Sequence, residues 1–243
     1  MFDRDVSFRI AEALVDSFRK TDEGNSKRAI VPPMTIAVSR EAGASGKSVA
    51  VEIGRQLGWP VYDREIMEKI GEQVRHPASH IEGVDERSVS WLEDCMANLL
   101  TEYRISATSY LKKLIGVVRG LGLIGHCVIV GRGANHILPA ATTLRLRIVS
   151  AMPDRIKATA TRYGLAEKEA IRRLTHIDRD RTEFVRANFN ADPAAPEQYD
   201  VILNSSRLSV TECARVAINV LHILEAKLAE QSVSTPEFAG AAR

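Results

Sequence analysis

The chain has 243 residues, of which 45% are hydrophobic, and its 33 Lys or Arg and 31 Asp or Glu give a formal net charge of +2. A chain of this length and composition buries a sizeable core without disulfides or a structural metal, which excludes collagen-like, disordered and disulfide-scaffold proteins. Its three cysteines, Cys95, Cys127 and Cys213, form no C-x-x-C pair and are typical of buried thiols in a reducing compartment.

Both ends of the chain differ in pattern from its middle. Residues 1–30 carry apolar side chains at helical spacing and then a polar run, which predicts an appended helix and a linker. That helix offers an apolar stripe through which two copies could form a homodimer. Residues 231–243 mix Ser, Thr, Pro, Gly and Ala without a period and are predicted to be a flexible tail. The main domain is therefore expected over residues 31–230.

Five short apolar runs in this domain predict buried strands, because near-continuous Val, Ile and Leu is typical of a parallel sheet covered on both faces. The runs are 34–39, 59–62, 127–130, 144–150 and 201–204. Helical patterns lie between the strands, at 65–74, 89–103 and 106–121, and one more follows the last strand, at 210–229.

The first strand leads into a loop of small residues that ends in Gly-Lys-Ser, and a helical pattern follows. The order strand, loop, Gly-Lys-Ser, helix predicts a phosphate-binding loop. Backbone amides in the loop and the helix N-terminus would bind the phosphates of ATP. The loop residues concerned are Gly43, Ala44, Ser45 and Gly46. Lys47 would reach the β- and γ-phosphates, and the Ser48 hydroxyl would hold Mg²⁺.

One residue of the loop departs from the full pattern G-x-x-x-x-G-K-[ST], because Glu41 stands where the pattern has Gly. An acid so close to a triphosphate is unfavourable unless it points away or reaches the metal. The sequence leaves both possibilities open.

Positive charge is concentrated between residues 144 and 186, where eleven Arg or Lys stand against six acidic residues. Such an excess in a nearly neutral chain suggests a site for a compact polyanion such as a nucleotide phosphate tail. A solvated helical face is the alternative explanation.

Four segments together resemble the cytidylate kinase-like family, and the resemblance extends over about residues 34–224. They are the loop with its preceding Ser39-Arg40-Glu41, and segments 58–65, 128–135 and 199–208. The resemblance implies an α/β P-loop kinase fold of the nucleoside monophosphate kinase type. Its five-stranded parallel sheet would have the order 2-3-1-4-5, with helices on both faces and a helical lid at about 165–190.

The resemblance also implies roles for three residues. Arg132 would hold the acceptor phosphate, Asp178 would lie near the acceptor nucleoside, and Arg181 would contact the transferring phosphoryl group. Asp63 and Arg64 follow the second strand, where open α/β sheets bind ligands, and are further substrate-binding candidates. Each has a structural alternative. Arg132 would then be an ordinary loop residue, Asp178 and Arg181 an i,i+3 helix pair, and Asp63 with Arg64 a turn and helix cap.

Two departures from the family pattern bear on function. Gly133 stands where cytidylate kinases have Asp after the phosphate-binding Arg, so a contact to the acceptor nucleoside is missing. The third strand also lacks an acid to order the magnesium shell, so the metal would rest on Ser48 and water, with Glu41 as a further candidate.

These observations predict an ATP- and Mg²⁺-dependent kinase that phosphorylates a nucleoside monophosphate, CMP or dCMP first, with Lys47, Arg132 and Arg181 as catalytic residues. Two alternatives are a P-loop kinase for another small phosphorylated metabolite and an ATP-binding regulatory module without turnover. A non-enzymatic helical adaptor would require the loop to be accidental. No apolar run approaches the ~18 residues of a membrane span, so we predict a cytoplasmic protein with neither a membrane nor a nucleic-acid polymer as partner.

Overall fold

The computed structural model of the protein describes residues 33–63 and 109–234. Five strands lie in this part of the chain: β1 (Thr35–Arg40), β2 (Val61–Tyr62), β3 (Cys127–Val130), β4 (Thr143–Val149) and β5 (Val201–Asn204). Its α-helices are α1 (Gly46–Leu57), α2 (Ser109–Ile124), α3 (Ala134–Ile137), α4 (Met152–Tyr163), α5 (Glu167–Phe189) and α6 (Val210–Ser234).

The strands form one parallel sheet in the order β2-β3-β1-β4-β5, which confirms the predicted topology. β1 lies at the centre, with Val38 opposite Val130 on one side and opposite Leu146 on the other. All five carboxyl ends therefore point to the same edge of the sheet. The loop after β1 leaves from the middle of that edge, between the loops that follow β3 and β4.

Helices cover both faces of the sheet, because alternate residues of each strand point to opposite faces. Ile36 and Val38 pack with α1 and α6 in one buried cluster, whereas Ala37 and Ile129 pack with α2 and α3 in the other. All four of these strand residues are almost completely buried. A strand buried on both faces is apolar at nearly every position, which is why the strands could be predicted from apolar runs in the sequence.

The predicted boundaries differ slightly from the observed ones. The strands at 127–130 and 201–204 are confirmed at both ends, and the others shift by one or two residues. The helix predicted at 106–121 is α2, and α6 continues past 229 to Ser234, beyond the predicted start of the tail. The lid segment predicted at about 165–190 is the single helix α5. The expectations for residues 1–30, 65–74 and 89–103, for Arg64 and for Cys95 lie outside the described residues.

Two further expectations concern burial. Cys127 and Cys213 are both buried, and burial raises the pKa of the Cys127 thiol to about 12, so Cys127 stays protonated at neutral pH. Of the helices within 33–63 and 109–234, none is both long and apolar enough to cross a membrane.

Candidate functional site

The loop between β1 and α1 has the geometry of a turn into a helix N-terminus. Ser45 adopts a left-handed conformation with φ of 56°, and its carbonyl oxygen accepts the Val49 N–H at 3.0 Å. Gly46 opens α1, so Gly43, Ala44 and Ser45 lie directly before the positive end of the helix dipole. Ser205 is the residue after β5, and its hydroxyl supports the loop by donating to the Ala44 carbonyl oxygen at 2.9 Å. The predicted loop residues are thus adjacent at a site suited to anions.

Lys47 and Asp63, which the sequence proposed separately, are in contact. The Lys47 ammonium pairs with the Asp63 carboxylate, although Lys47 lies in the first turn of α1 and Asp63 follows β2. The Lys47 side chain is 53% exposed and the Asp63 side chain 15% exposed, so the pair opens to solvent on the lysine side. Ser48, the next residue of α1, is also exposed.

Glu41 points away from the start of α1. Its carboxylate accepts the Ser150 N–H at 3.1 Å and lies 3.5 Å from the guanidinium of Arg155. Arg155 belongs to α4 and is only 6% exposed. The acid at the irregular position of the loop is therefore paired with a buried cation, as expected if it points away from the phosphates.

Arg155 also joins the loop to α5. Its Nε donates to the Ala42 carbonyl oxygen at 2.7 Å, and another of its nitrogens pairs with the carboxylate of Asp178 in α5. Asp178 in turn accepts the Ala42 N–H at 2.7 Å. Arg155 and Asp178 thus bind the polar groups of one loop residue from two different helices. Arg155 was not among the residues predicted from the sequence. Its signals there were its place in the basic segment and the irregular Glu41 of the loop.

Two further arginines lie near the loop, Arg181 on the same helix as Asp178 and Arg132 after β3, the neighbour of β1 in the sheet. Arg181, in α5, donates to the Arg40 carbonyl oxygen at 3.1 Å and lies 3.9 Å from Asp178. Burial lowers the pKa of Arg181, the Asp178 carboxylate opposes that shift, and Arg155 adds to it. Arg132 follows β3 in a left-handed conformation with φ of 60°. Non-glycine residues held in that conformation cost of order 1–3 kcal/mol and cluster at functional sites.

Gly133 is fixed by the packing of an aromatic side chain. A Cβ atom at Gly133 would lie 2.3 Å from Cε2 of Phe189, the last residue of α5. The Phe189 ring stacks on His136 at 5.2 Å and meets Phe184 edge-on at 6.0 Å. Burial lowers the pKa of His136, and Arg145 adds to that shift, so the stacked imidazole is neutral at pH 7. The space that a larger residue at position 133 would need is thus filled by Phe189 of α5.

Replacing Gly133 by Ala is expected to destabilise the protein by about 2–4 kcal/mol, from a strained φ and an overpacked contact together. Gly164→Ala is the matched control, because Gly164 has a similar positive φ of 62° but nothing within 4 Å of its Cβ position. That variant should lose only the backbone part, about 1–2 kcal/mol. Urea unfolding of both variants measures the difference, and equal losses would contradict the Phe189 contact.

Comparison with known proteins places these features in a family. The sequence profile of the cytidylate kinase-like family matches residues 35–207. A comparison with curated protein sequences finds no significant match. Among solved structures, an uncharacterized protein from Eubacterium ventriosum ATCC 27560 superposes with a TM-score of 0.60 at 18% identity, covering 78% of this chain and 98% of its own.

Two more distant structures also match. A shikimate kinase from Bacteroides thetaiotaomicron has a TM-score of 0.42 at 14% identity, covering 79% of this chain and 98% of its own. A gluconokinase from Sinorhizobium meliloti 1021 has a TM-score of 0.42 at 16% identity, covering 83% of this chain and 98% of its own. The Eubacterium structure supports the fold alone, and the two kinases carry no argument at this level of similarity. The profile match spans most of the chain, including the phosphate-binding loop, Asp63, Arg132 and α5, and it shows that this protein belongs to the cytidylate kinase-like family.

Proposed function

We propose that the protein transfers the γ-phosphoryl group of ATP to a small phosphorylated acceptor, with CMP and dCMP as the first candidates. The observation that carries this proposal is the arrangement of Arg132, Arg181 and the Lys47–Asp63 pair around one phosphate-binding loop. They come from the β3–α3 turn, from α5, and from α1 with the end of β2. Phosphoryl transfer requires such convergence, because it depends on alignment and on neutralising charge rather than on a protein nucleophile.

The reaction assigns a role to each group. The loop from Gly43 to Gly46 and the Lys47 ammonium bind the β- and γ-phosphates of ATP. Arg132 holds the acceptor phosphate, one of whose oxygens attacks the γ-phosphorus. The bond from that phosphorus to the β–γ bridging oxygen breaks, and ADP leaves. Arg181 neutralises charge that develops on the transferring group.

The residues present fit a magnesium ion bound together with ATP. Mg²⁺ in kinases takes one or two protein oxygens and completes its shell with phosphates and water. The hydroxyl of Ser48, the exposed residue after Lys47, and the carboxylate of Asp63, which pairs with Lys47, are oxygens of that kind. Bound there, the ion would neutralise charge on the phosphates. Glu41 is the weaker candidate for a ligand, because its carboxylate accepts the Ser150 N–H and pairs with the buried Arg155.

The lid helix α5 contributes to the site through Asp178 and Arg181. Asp178 contacts Ala42, and Arg181 contacts the Arg40 carbonyl, so α5 is anchored on the loop at two points. We infer that α5 excludes water from the reacting phosphates, which favours transfer to the acceptor over hydrolysis. A direct contact of Asp178 with the acceptor nucleoside stays a prediction.

A second candidate function is a P-loop kinase with a different small phosphorylated acceptor. The observation that favours it is Phe189, which occupies the space beside Gly133 where cytidylate kinases carry an Asp. A nucleoside bound at this place would lack the polar contact that the Asp provides and would meet the aromatic ring of Phe189 instead, which favours an acceptor other than a nucleotide. Fold alone does not decide between acceptors.

The test is ADP release from Mg-ATP in the presence of CMP, dCMP, UMP or AMP, with a no-acceptor control. We expect one or more acceptors to raise the rate at least tenfold above that control. A preference for the two cytidine nucleotides would support the first candidate. ATP binding without any acceptor-dependent release would contradict nucleoside monophosphate kinase activity and would favour a regulatory ATP-binding module.

A further inference from the structure

Arg40, the last residue of β1, lies in a channel formed by two glycines. A Cβ atom at Gly46 would lie 2.5 Å from the Arg40 Cβ, and a Cβ atom at Gly131 would lie 2.1 Å from a guanidinium nitrogen of Arg40. The Arg40 side chain therefore runs from the start of α1 to the turn that follows β3. Any side chain at either glycine position would displace it.

Two other arginines share this region with Arg40. Arg132 follows Gly131 directly in the chain, and Arg181 donates to the main-chain carbonyl of Arg40 itself. Burial lowers the pKa of Arg40, Arg181 and Arg132 add to that shift and Asp63 opposes it, so that the pKa of Arg40 is about 10. Arg40 thus stays charged at neutral pH in surroundings that disfavour its charge. A bound anion would offset this cost.

The Arg40 side chain extends toward one of the two sides of β1 in the sheet. Gly131 follows β3 and Asp63 follows β2, and both strands lie on the same side of β1 in the sheet. Ser150 and Ser205 follow β4 and β5 on the opposite side. Arg40 therefore faces the β2–β3 side, where Arg132 also lies.

We propose that Arg40 is a phosphate-binding residue, and that its guanidinium joins those of Arg132 and Arg181 in a three-arginine site for the phosphate group of the acceptor. The existence of an anion site rests on the geometry of these residues. Its assignment to the acceptor rests on the proposed kinase function. A planar guanidinium with several donors suits a phosphate better than a lysine ammonium does.

The experiment uses inorganic phosphate as the probe and the full chain as the protein. We measure the rise in Tm with phosphate at constant ionic strength for wild type, Arg40→Met and Arg40→Lys. Arg215→Met, an exposed arginine of α6, is the matched control. We expect Arg40→Met to weaken phosphate binding about 10- to 100-fold, the loss of one charge-assisted hydrogen bond. Arg40→Lys should retain part of the response, and Arg215→Met all of it.

A merely structural role for Arg40 makes the opposite prediction. If Arg40 only supports the fold, Arg40→Met should lower Tm without phosphate and leave the phosphate response intact, which would overturn the proposal. We expect no fall in Tm without phosphate in Arg40→Met, because this substitution removes the repulsion of Arg40 by Arg181 and Arg132. A phosphate response that is lost in Lys47→Ala and retained in Arg40→Met would assign the anion to the loop and would also overturn the proposal.

The assay separates this inference from the proposed function. Arg40-dependent phosphate binding without turnover of any acceptor would support the anion site and contradict the kinase assignment. Acceptor-dependent turnover with an unchanged acceptor KM in Arg40→Met would support the kinase and contradict the site.

Discussion

Replacing Lys47 by Ala is expected to lower kcat for phosphoryl transfer about 10²- to 10³-fold, the cost of removing one preorganised electrostatic contact to a transition state. The ammonium lies in the first turn of α1 beside Asp63, at the place where the γ-phosphoryl group would be bound. Because the Lys47 side chain is about half exposed, its loss should leave the core unchanged. Steady-state kinetics with the best acceptor, together with urea unfolding, measures both effects.

The matched control is Lys227→Ala, which removes an exposed lysine from α6. Its kcat should equal that of wild type. A Lys47→Ala variant that folds normally and turns over at the wild-type rate would remove Lys47 from the mechanism. If the free energy of unfolding falls as well, the kinetic loss must be measured below the unfolding transition, where the variant is fully folded.

Replacing Arg155 by Met is expected to lower the free energy of unfolding by about 3–5 kcal/mol, the cost of breaking a buried ion pair from one side. Arg155 is 6% exposed and pairs with Glu41 and Asp178, and it donates to the Ala42 carbonyl oxygen. Met keeps much of the side-chain volume, so the loss would be electrostatic rather than steric. Urea unfolding of the full chain measures it.

Arg179→Met is the control for this prediction, because Arg179 forms ion pairs with Asp180 and Glu183 on the surface of α5. Exposed pairs of that kind contribute about 0–1 kcal/mol. Similar losses in the two variants would contradict a special role for the buried pair. A smaller loss in Arg155→Met than in Arg179→Met would show that Glu41 and Asp178 do not need their buried partner.

Much of the fold was predictable because its signals are local. A strand such as β3 is apolar at every position, since it is buried on both faces. The phosphate-binding loop is similarly contiguous in sequence, so Lys47 and Ser48 were identified from their order after β1. The sheet order came from the family resemblance, because strand order is a long-range property that no short segment contains.

The contacts of Arg155 could not be predicted in the same way. It binds Ala42, which is 113 positions away in the chain, and Asp178, which lies on another helix. Its sequence neighbourhood is an ordinary basic helix, and only the packing of α4 against the loop shows that it is buried. The irregular Glu41 was a visible sign of an unusual environment, but it did not identify Arg155 as the partner.

Gly133 illustrates a second limit. The missing Asp was visible in the sequence, but the packing of Phe189 against Gly133 was not, because Phe189 comes from the far end of α5. The contacts of Asp178 were equally hidden, because its carboxylate accepts the Ala42 N–H and pairs with Arg155, and both residues are far from it in the chain. Spacing within a helix could not reveal these contacts.

The most direct test of the central claim follows the phosphoryl group itself. The protein is incubated with Mg²⁺, CMP and ATP labelled in the γ-phosphoryl group, and the products are separated. Our account predicts that the label appears in CDP, and that Lys47→Ala reduces its appearance about 10²- to 10³-fold. The same incubation is repeated with each other acceptor. If the label stays in ATP, or is found only in inorganic phosphate, with CMP and with every other acceptor tested, the result would contradict the claim that this protein is a kinase for a phosphorylated acceptor.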